Sequence, residues 1–286
     1  MNTASETLDF TAVWNQVLAP KFIRFRHVLT AGAQPHGTRA IALHGPKRGD
    51  VVFDIGCGFG DSTLELADAV GAGGLAVGVD VVPSFLAFGR DAAGEAGIDN
   101  ARFEVLDVER DAPIACADLI FARFGTMFFQ SPVAAFRNLR RMLRPGGRLV
   151  MTTWRVLDDN PWLKVAKDVA LTHLPRPGKG AISCGPGPFS LSDPETISAI
   201  LERAGFENID LTRSDAATLV GRTVEEAVAF QLAIGPAGEV VREANTRDPA
   251  RLAAVTSAMT RALEPYMCED GVLMPSSAWL VSASWP

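Results

Sequence analysis

Residues 54–61 read Asp-Ile-Gly-Cys-Gly-Phe-Gly-Asp and follow the apolar run Val51-Val52-Phe53. An apolar run that ends in an acid, turns through Gly56, Gly58 and Gly60 and enters a helix-like segment is a ligand-binding arrangement. Glycine at alternate positions lets the backbone approach a ligand without side-chain obstruction. Open α/β sheets bind their ligands at such turns, beyond the carboxyl ends of parallel strands. The spacing separates two ligand classes. The dinucleotide fingerprint is G-x-G-x-x-G, with a helix amino terminus receiving a pyrophosphate. Here the third glycine falls one position early, and Asp61 stands where that fingerprint has glycine. Asp54 and Asp61 flank the loop with negative charge. Two like charges 4 Å apart repel by about 4 kcal/mol at an effective dielectric near 20. The loop therefore disfavours a pyrophosphate and suits a ligand bearing a protonated amine and a sulfonium.

S-adenosylmethionine carries both groups, and the chain resembles the class I S-adenosylmethionine-dependent methyltransferases in five ordered segments. Asp54–Gly60 matches the family's first motif. Leu75-Ala76-Val77-Gly78-Val79-Asp80 reads as a second strand ending in an acid, about two dozen residues downstream of the loop, where a ribose-binding carboxylate belongs. Phe103-Glu104-Val105-Leu106-Asp107-Val108 reads as a third strand, and residues 118–125, Asp-Leu-Ile-Phe-Ala-Arg-Phe-Gly, as a fourth with its turn. Leu143-Arg144-Pro145-Gly146-Gly147-Arg148-Leu149-Val150-Met151 resembles the family's Pro-Gly-Gly turn into strand five. Within the family the likeness is closest to bacterial enzymes of the ubiquinone/menaquinone-methyltransferase type. It is firm over residues 50–154 and loose elsewhere.

The resemblance implies a role for each site residue. Asp54 is expected to bind the methionine amino group, with capping of the following helix as the alternative. Gly56 and Gly58 approach the amino-acid half and the ribose, with Cys57 a small residue between them. Asp80 accepts the ribose hydroxyls and Val81 flanks the adenine. Asp107 binds the adenine amino group together with the backbone of Val108. Arg123 faces the methionine carboxylate; a salt bridge to Asp54 or Asp118 is the alternative. Phe124 opens the run Phe124-Gly125-Thr126-Met127-Phe128-Phe129. That run serves either core packing or an aromatic wall around a sulfonium, with cation–π attraction of about 0.5–2 kcal/mol.

Trp14, Phe22 and Phe25 suit a lid helix, Trp14 over the cofactor and Phe22 toward the acceptor, with a dimer contact as the alternative. Met127, Phe128, Trp154, Trp162 and Phe189 are the expected acceptor walls, and Asn160 leaves strand five with them. His27, His36 and His173 are candidate bases, although a lone histidine is more often structural. Methyl transfer to a phenolate or thiolate can run on proximity and alignment alone. The product would be S-adenosylhomocysteine.

The elements that must position these residues follow from periodicity. Residues 8–45 are helical and amphipathic, interrupted at Pro20, and form an N-terminal helical lid (1–45). Residues 46–154 alternate strand and helix, which specifies a parallel sheet covered on both faces. Residues 155–191, rich in Pro, Gly and Trp, read as an irregular insertion over the active site. Residues 192–286 complete the same domain: a helix over 195–204 capped by Ser192 or Asp193, a strand over 206–212, and a helical insertion within 221–275 broken at Gly235-Pro236 and Asp248-Pro249. A closing strand spans 278–284. The expected fold is thus α/β: a doubly wound, mostly parallel seven-stranded sheet, order 3-2-1-4-5-7-6, with its last strand antiparallel.

Net charge −6 and a pI near 5.3 argue against a general nucleic-acid partner. No apolar run reaches the length of a membrane span. Cys57, Cys116, Cys184 and Cys268 form no C-x-x-C pair, so no metal is expected and the cytoplasm is the expected compartment. The function expected is methyl transfer to a small, hydrophobic or aromatic metabolite. A non-catalytic S-adenosylmethionine-binding sensor is the alternative, and a homodimer is compatible with either.

Overall fold

The computed structural model describes residues 10–111, 116–175, 186–245 and 248–286. Strands β1 (Val51–Ile55), β2 (Leu75–Asp80), β3 (Ala101–Val105), β4 (Ala117–Arg123), β5 (Leu143–Trp154), β6 (Glu207–Gly221), β7 (Met267–Cys268) and β8 (Gly271–Ser284) form one sheet. Its order is β3-β2-β1-β4-β5-β8-β6, with β8 antiparallel to both β5 and β6. This is the expected order with one addition: the two-residue β7 pairs with β8, so the described strands number eight.

The helices are α1 (Phe10–Val13), α2 (Ala19–Arg24), α3 (Arg26–His44), α4 (Asp61–Val70), α5 (Pro83–Ala96), α6 (Pro132–Met142), α7 (Pro161–His173), α8 (Pro194–Ala204), α9 (Val224–Ala233), α10 (Pro236–Glu243) and α11 (Pro249–Leu263). A π-helical turn, Trp14–Leu18, joins α1 to α2. Strand alternation sends successive side chains to opposite faces. Val52, Leu119, Phe121, Val150 and Leu280 meet Ala40 of α3 and Leu66, Ala67 and Val70 of α4 on one face. Phe53, Ile120, Leu149, Met151 and Val281 meet Phe136, Leu139, Ile197 and Leu201 of α6 and α8 on the other.

Three expectations change. Residues 161–173, expected to be irregular, form α7, and its Trp162, Leu163, Ala166 and Ala170 are buried in the main core. The run of small and apolar residues at helical spacing starts at Pro161, a residue that also opens helices. Of that insertion, residues 176–185 lie outside the described residues, as does Cys184. Strand β6 runs to Gly221 and β8 begins at Gly271, so both are far longer than predicted. Residues 215–221 pair with β8 beyond the end of β5, whose Trp154 faces Ala278 from the side opposite Ser214. Finally, Phe25 is not lid surface: it is buried against Phe230, ring centres 5.5 Å apart. Asp193, of the two candidates, caps α8 by accepting from the Thr196 amide at 2.8 Å.

Candidate active site

The loop after β1 turns because Gly56, Gly58 and Gly60 adopt φ of +64°, +56° and +85°, the left-handed region that glycine enters without strain. The Cys57 amide donates to the Val79 carbonyl at 3.1 Å, and Gly60 closes a turn on Cys57 at 3.0 Å. A Cβ on Gly58 would meet no atom within 4 Å, whereas one on Gly60 would strike the Phe103 ring and Gly89 Cα. Gly58 therefore faces open space and Gly60 faces the core.

That open space is a cavity of about 530 Å³. Gly56, Cys57, Gly58 and Asp61 form one wall; Asp80, Val81, Asp107, Val108, Arg123 and Phe124 line the others. Asp80 Oδ2 accepts from the Gly58 amide at 3.0 Å and Oδ1 from the Val82 amide at 2.9 Å. Burial pushes its pKa up to about 6, against those two amide bonds, which lower it. Asp107 Oδ1 accepts from the Glu109 amide at 3.0 Å and Oδ2 lies 3.3 Å from Arg110 Nε.

Asp54 is placed differently from its neighbours. It is fully buried, is absent from the cavity wall, and its Oδ2 accepts from Ser62 Oγ and Thr63 Oγ1, both at 2.7 Å. Its carboxylate thus braces the first turn of α4, close to the capping alternative. Burial raises its pKa to about 6 in spite of the two hydroxyls. The loop acid that reaches the cavity is Asp61, which pairs with Arg123 rather than leaving that arginine to Asp54 or Asp118. Asp118 instead holds Arg144 and the Val51 amide. The signal for Asp61 was its occupation of the dinucleotide fingerprint's third glycine position.

A second cavity, about 730 Å³, adjoins the first through Phe10, Trp14, Phe22, Leu29, Ala33, Phe124 and Phe128, which line both. Met127, Trp154, Trp162 and Phe189 line it, as do residues of α9 and α10 that the sequence did not single out, such as Phe230 and Val241. Trp14 meets Phe22 and Phe128 edge to face at 5.2 and 5.0 Å, so its ring is buried within its own chain. The roof is tied down by Asn15, whose Nδ2 donates to the carbonyls of Thr11 at 2.8 Å and Val81 at 3.1 Å.

Phe124 has φ of +59°, a costly conformation for a bulky residue. Its ring stacks on Trp154 at 3.8 Å with an interplanar angle of 11°. Behind the pair stands His36, edge-on to both rings. Asn160 is buried, accepting from the Trp162 indole and the Ser277 amide, and ties α7 to β8 instead of facing a cavity.

No histidine lines either cavity. His27 Nε2 lies 2.9 Å from Glu226 Oε1. His36 is wholly buried, its Nδ1 3.1 Å from Ser214 Oγ and its Nε2 2.9 Å from Ser276 Oγ, and burial lowers its pKa to about 4. His173 is exposed at the end of α7. Among the described residues no group of three or more His, Cys, Asp and Glu could hold a metal, and no helix is long and apolar enough to cross a membrane.

The sheet order, the glycine turn after β1 and the acid ending β2 define a Rossmann-like α/β protein with a cavity at its strand ends. Residues 46–217 match the family model described as a methyltransferase domain. The ubiquinone/menaquinone biosynthesis C-methyltransferase UbiE of Azotobacter vinelandii is 30% identical over 202 residues, covering 67% of this chain and 80% of that protein. The aklanonic acid methyltransferase DauC of a Streptomyces species is 32% identical over 120 residues, 42% of this chain and 54% of that protein. Among solved structures, Haemonchus contortus phosphoethanolamine N-methyltransferase 2 in complex with S-adenosyl-L-methionine superposes with a TM-score of 0.59 at 16% identity, over 98% of this chain and 61% of that one. The chain belongs to the class I S-adenosylmethionine-dependent methyltransferases.

Proposed function

We propose that the protein transfers the methyl group of S-adenosylmethionine onto a small, apolar or aromatic metabolite held in the second cavity. The observation that carries this reading is the pair of adjoining cavities: one lined by strand-end acids and the glycine loop, one mainly apolar, sharing the wall at Phe124.

The residues present fit the methyl donor. Asp80, at the end of β2, would accept the ribose hydroxyls, and the bare face of Gly58 leaves room for the nucleoside. Asp107 and the Val108 backbone would receive the adenine, with Val81 on its flank. Arg123 Nη1 is buried without a partner and Arg123 lines the first cavity, which suits a carboxylate; Asp61 beside it suits an ammonium. Asp54, whose Oδ1 is also buried and unpartnered, contributes through the loop it braces. When bound, S-adenosylmethionine supplies an electrophilic methyl on a sulfonium. Phe124, Phe128 and Trp14 would surround that cation with aromatic faces and exclude water from the junction. Neither wall holds a histidine, so the reading rests on alignment of donor and acceptor and requires no histidine base.

The test is incubation of the purified protein with methyl-labelled S-adenosylmethionine and a metabolite extract, followed by product analysis. Label in an apolar small molecule is the expected result. Tight cofactor binding with no label in any product would instead establish the non-catalytic sensor. Absence of calorimetric heat with both S-adenosylmethionine and S-adenosylhomocysteine would remove the cofactor assignment itself.

A further inference from the structure

The second cavity carries four charged side chains in its lining: Lys21 of α2, Lys167 of α7, and Glu239 and Arg242 of α10. Glu239 and Arg242 neutralise each other across one helical turn, Oε1 to Nη2 3.4 Å. Lys21 and Lys167 are half-buried, and no carboxylate of a described residue pairs with either. Lys164, three residues earlier on α7, shows the ordinary arrangement: it is held by Asp168 and lies 3.7 Å from Asp158. The chain as a whole bears a net charge of −6, so acids are not scarce. Two ammonium groups are nonetheless left uncompensated beside a mainly apolar chamber. A lysine can lay its stem along apolar wall and keep its charged head at the water boundary. A head so placed makes its strongest hydrogen bonds with an anion.

We propose that the methyl acceptor is an amphipathic organic anion. Its ring-bearing, apolar body would fill the cavity between Phe124, Trp162 and Phe230, and its carboxylate, sulfonate or phosphate group would be held by Lys21 and Lys167. A neutral acceptor would leave both charges idle, and a cationic one would be repelled. This assignment rests on the methyltransferase reading and specifies the acceptor of that same site.

The test is a fluorescence titration with two matched probes, 8-anilinonaphthalene-1-sulfonate and its uncharged counterpart N-phenyl-1-naphthylamine. The wild-type protein should bind the sulfonate at least about tenfold more tightly, worth 1.4 kcal/mol. The double variant K21Q/K167Q should lose that preference while holding the uncharged probe within about twofold. Ala233→Trp, which fills the cavity wall, should expel both probes. Equal binding of the two probes by the wild type, a preference that survives K21Q/K167Q, or sulfonate binding that survives Ala233→Trp would each overturn the proposal. Calorimetry with S-adenosylhomocysteine on the same preparations keeps the two readings apart. Normal heat with no sulfonate preference sinks the anionic acceptor alone, whereas absent heat in the wild type sinks the cofactor site.

Discussion

The two cavities touch at Phe124 yet are built by different rules. The first is framed by consecutive strand ends, and each of its polar walls lies within a short, self-announcing stretch of chain: the glycine loop, Asp80, Asp107 and Arg123. The second is assembled from α2, α3, α7, α9 and α10 and the far part of β6, segments that are distant in sequence and mainly apolar. On the proposed assignment, the contrast places donor binding on a few hydrogen-bonded acids and leaves acceptor choice to shape and rim charge. The first cavity should therefore fail by loss of single polar groups. The second should fail gradually, through packing.

The largest effect expected is at Asp80. Replacing it by Ala removes a charge-assisted acceptor worth about 1.5–3 kcal/mol, and calorimetry should show S-adenosylhomocysteine binding weakened by more than tenfold with the circular dichroism spectrum retained. Wild-type affinity in that variant would move the nucleoside elsewhere.

Next comes pH, where the buried acids behind and beside the first cavity and the imidazole buried behind Phe124 and Trp154 carry opposite signs. Asp54 and Asp80 sit near 6, above their ordinary 3.8. Each binds a proton more readily folded than unfolded, so its contribution to stability rises as pH falls from about 6 toward 4. His36, lowered from 6.5 to about 4, contributes stability that is lost as pH falls through that same interval. Denaturant titrations at pH 4.5 and 7 should thus show Asp80→Asn more acid-labile than wild type and His36→Asn less so. Donor affinity should decline by up to about tenfold per pH unit below 6, and the decline should be shallower in Asp80→Asn. Parallel shifts in both variants would erase the contrast.

A smaller effect separates Phe124→Gly from Phe124→Ala. Both delete the stack on Trp154, but only Gly relieves the left-handed backbone, so Gly should be the more stable by about 1 kcal/mol, the reverse of the usual ranking. Urea denaturation decides it. The smallest change is His27→Ala, which removes a part-exposed pair with Glu226 and should cost less than about 1 kcal/mol while leaving the rate of methyl transfer unchanged.

The sheet order and the first cavity were legible because strands β1 to β5 announce themselves by apolar runs ending in acids or glycine turns. Asp54 was legible as a motif residue but not in orientation: Ser62 and Thr63, one turn into α4, draw its carboxylate behind the loop. Arg123 chose Asp61 for a reason of three-dimensional proximity that no spacing rule states. The second cavity was only partly legible. Trp154, Trp162 and Phe189 were found as aromatics near the exit of β5, but the extension of β6 over Arg213-Ser214-Asp215-Ala216-Ala217-Thr218 was hidden. Its small and polar residues carry no apolar alternation; Ser214 and Thr218 are buried because they answer His36, Ser276 and the Gly32 carbonyl. Such a network exists only once α3 and β8 have arrived.

The overhang of β6 and β8 past the end of β5 has a mechanical consequence. Residues 215–221 and 271–277 extend the sheet past the end of β5 as a ribbon that β7 flanks at its tip, and they support α3 at close quarters, where a Cβ on Gly32 would lie 2.9 Å from the Leu219 carbonyl. Its tip is packed rather than free: Val220, Val272 and Met274 are buried, and a Cβ on Gly221 would lie 2.4 Å from the Ala227 amide nitrogen of α9. The overhang thus acts as a packed shelf for α3 and α9, two helices that line the second cavity, so that cavity's walls are set by a part of the sheet remote from the strand ends around the first.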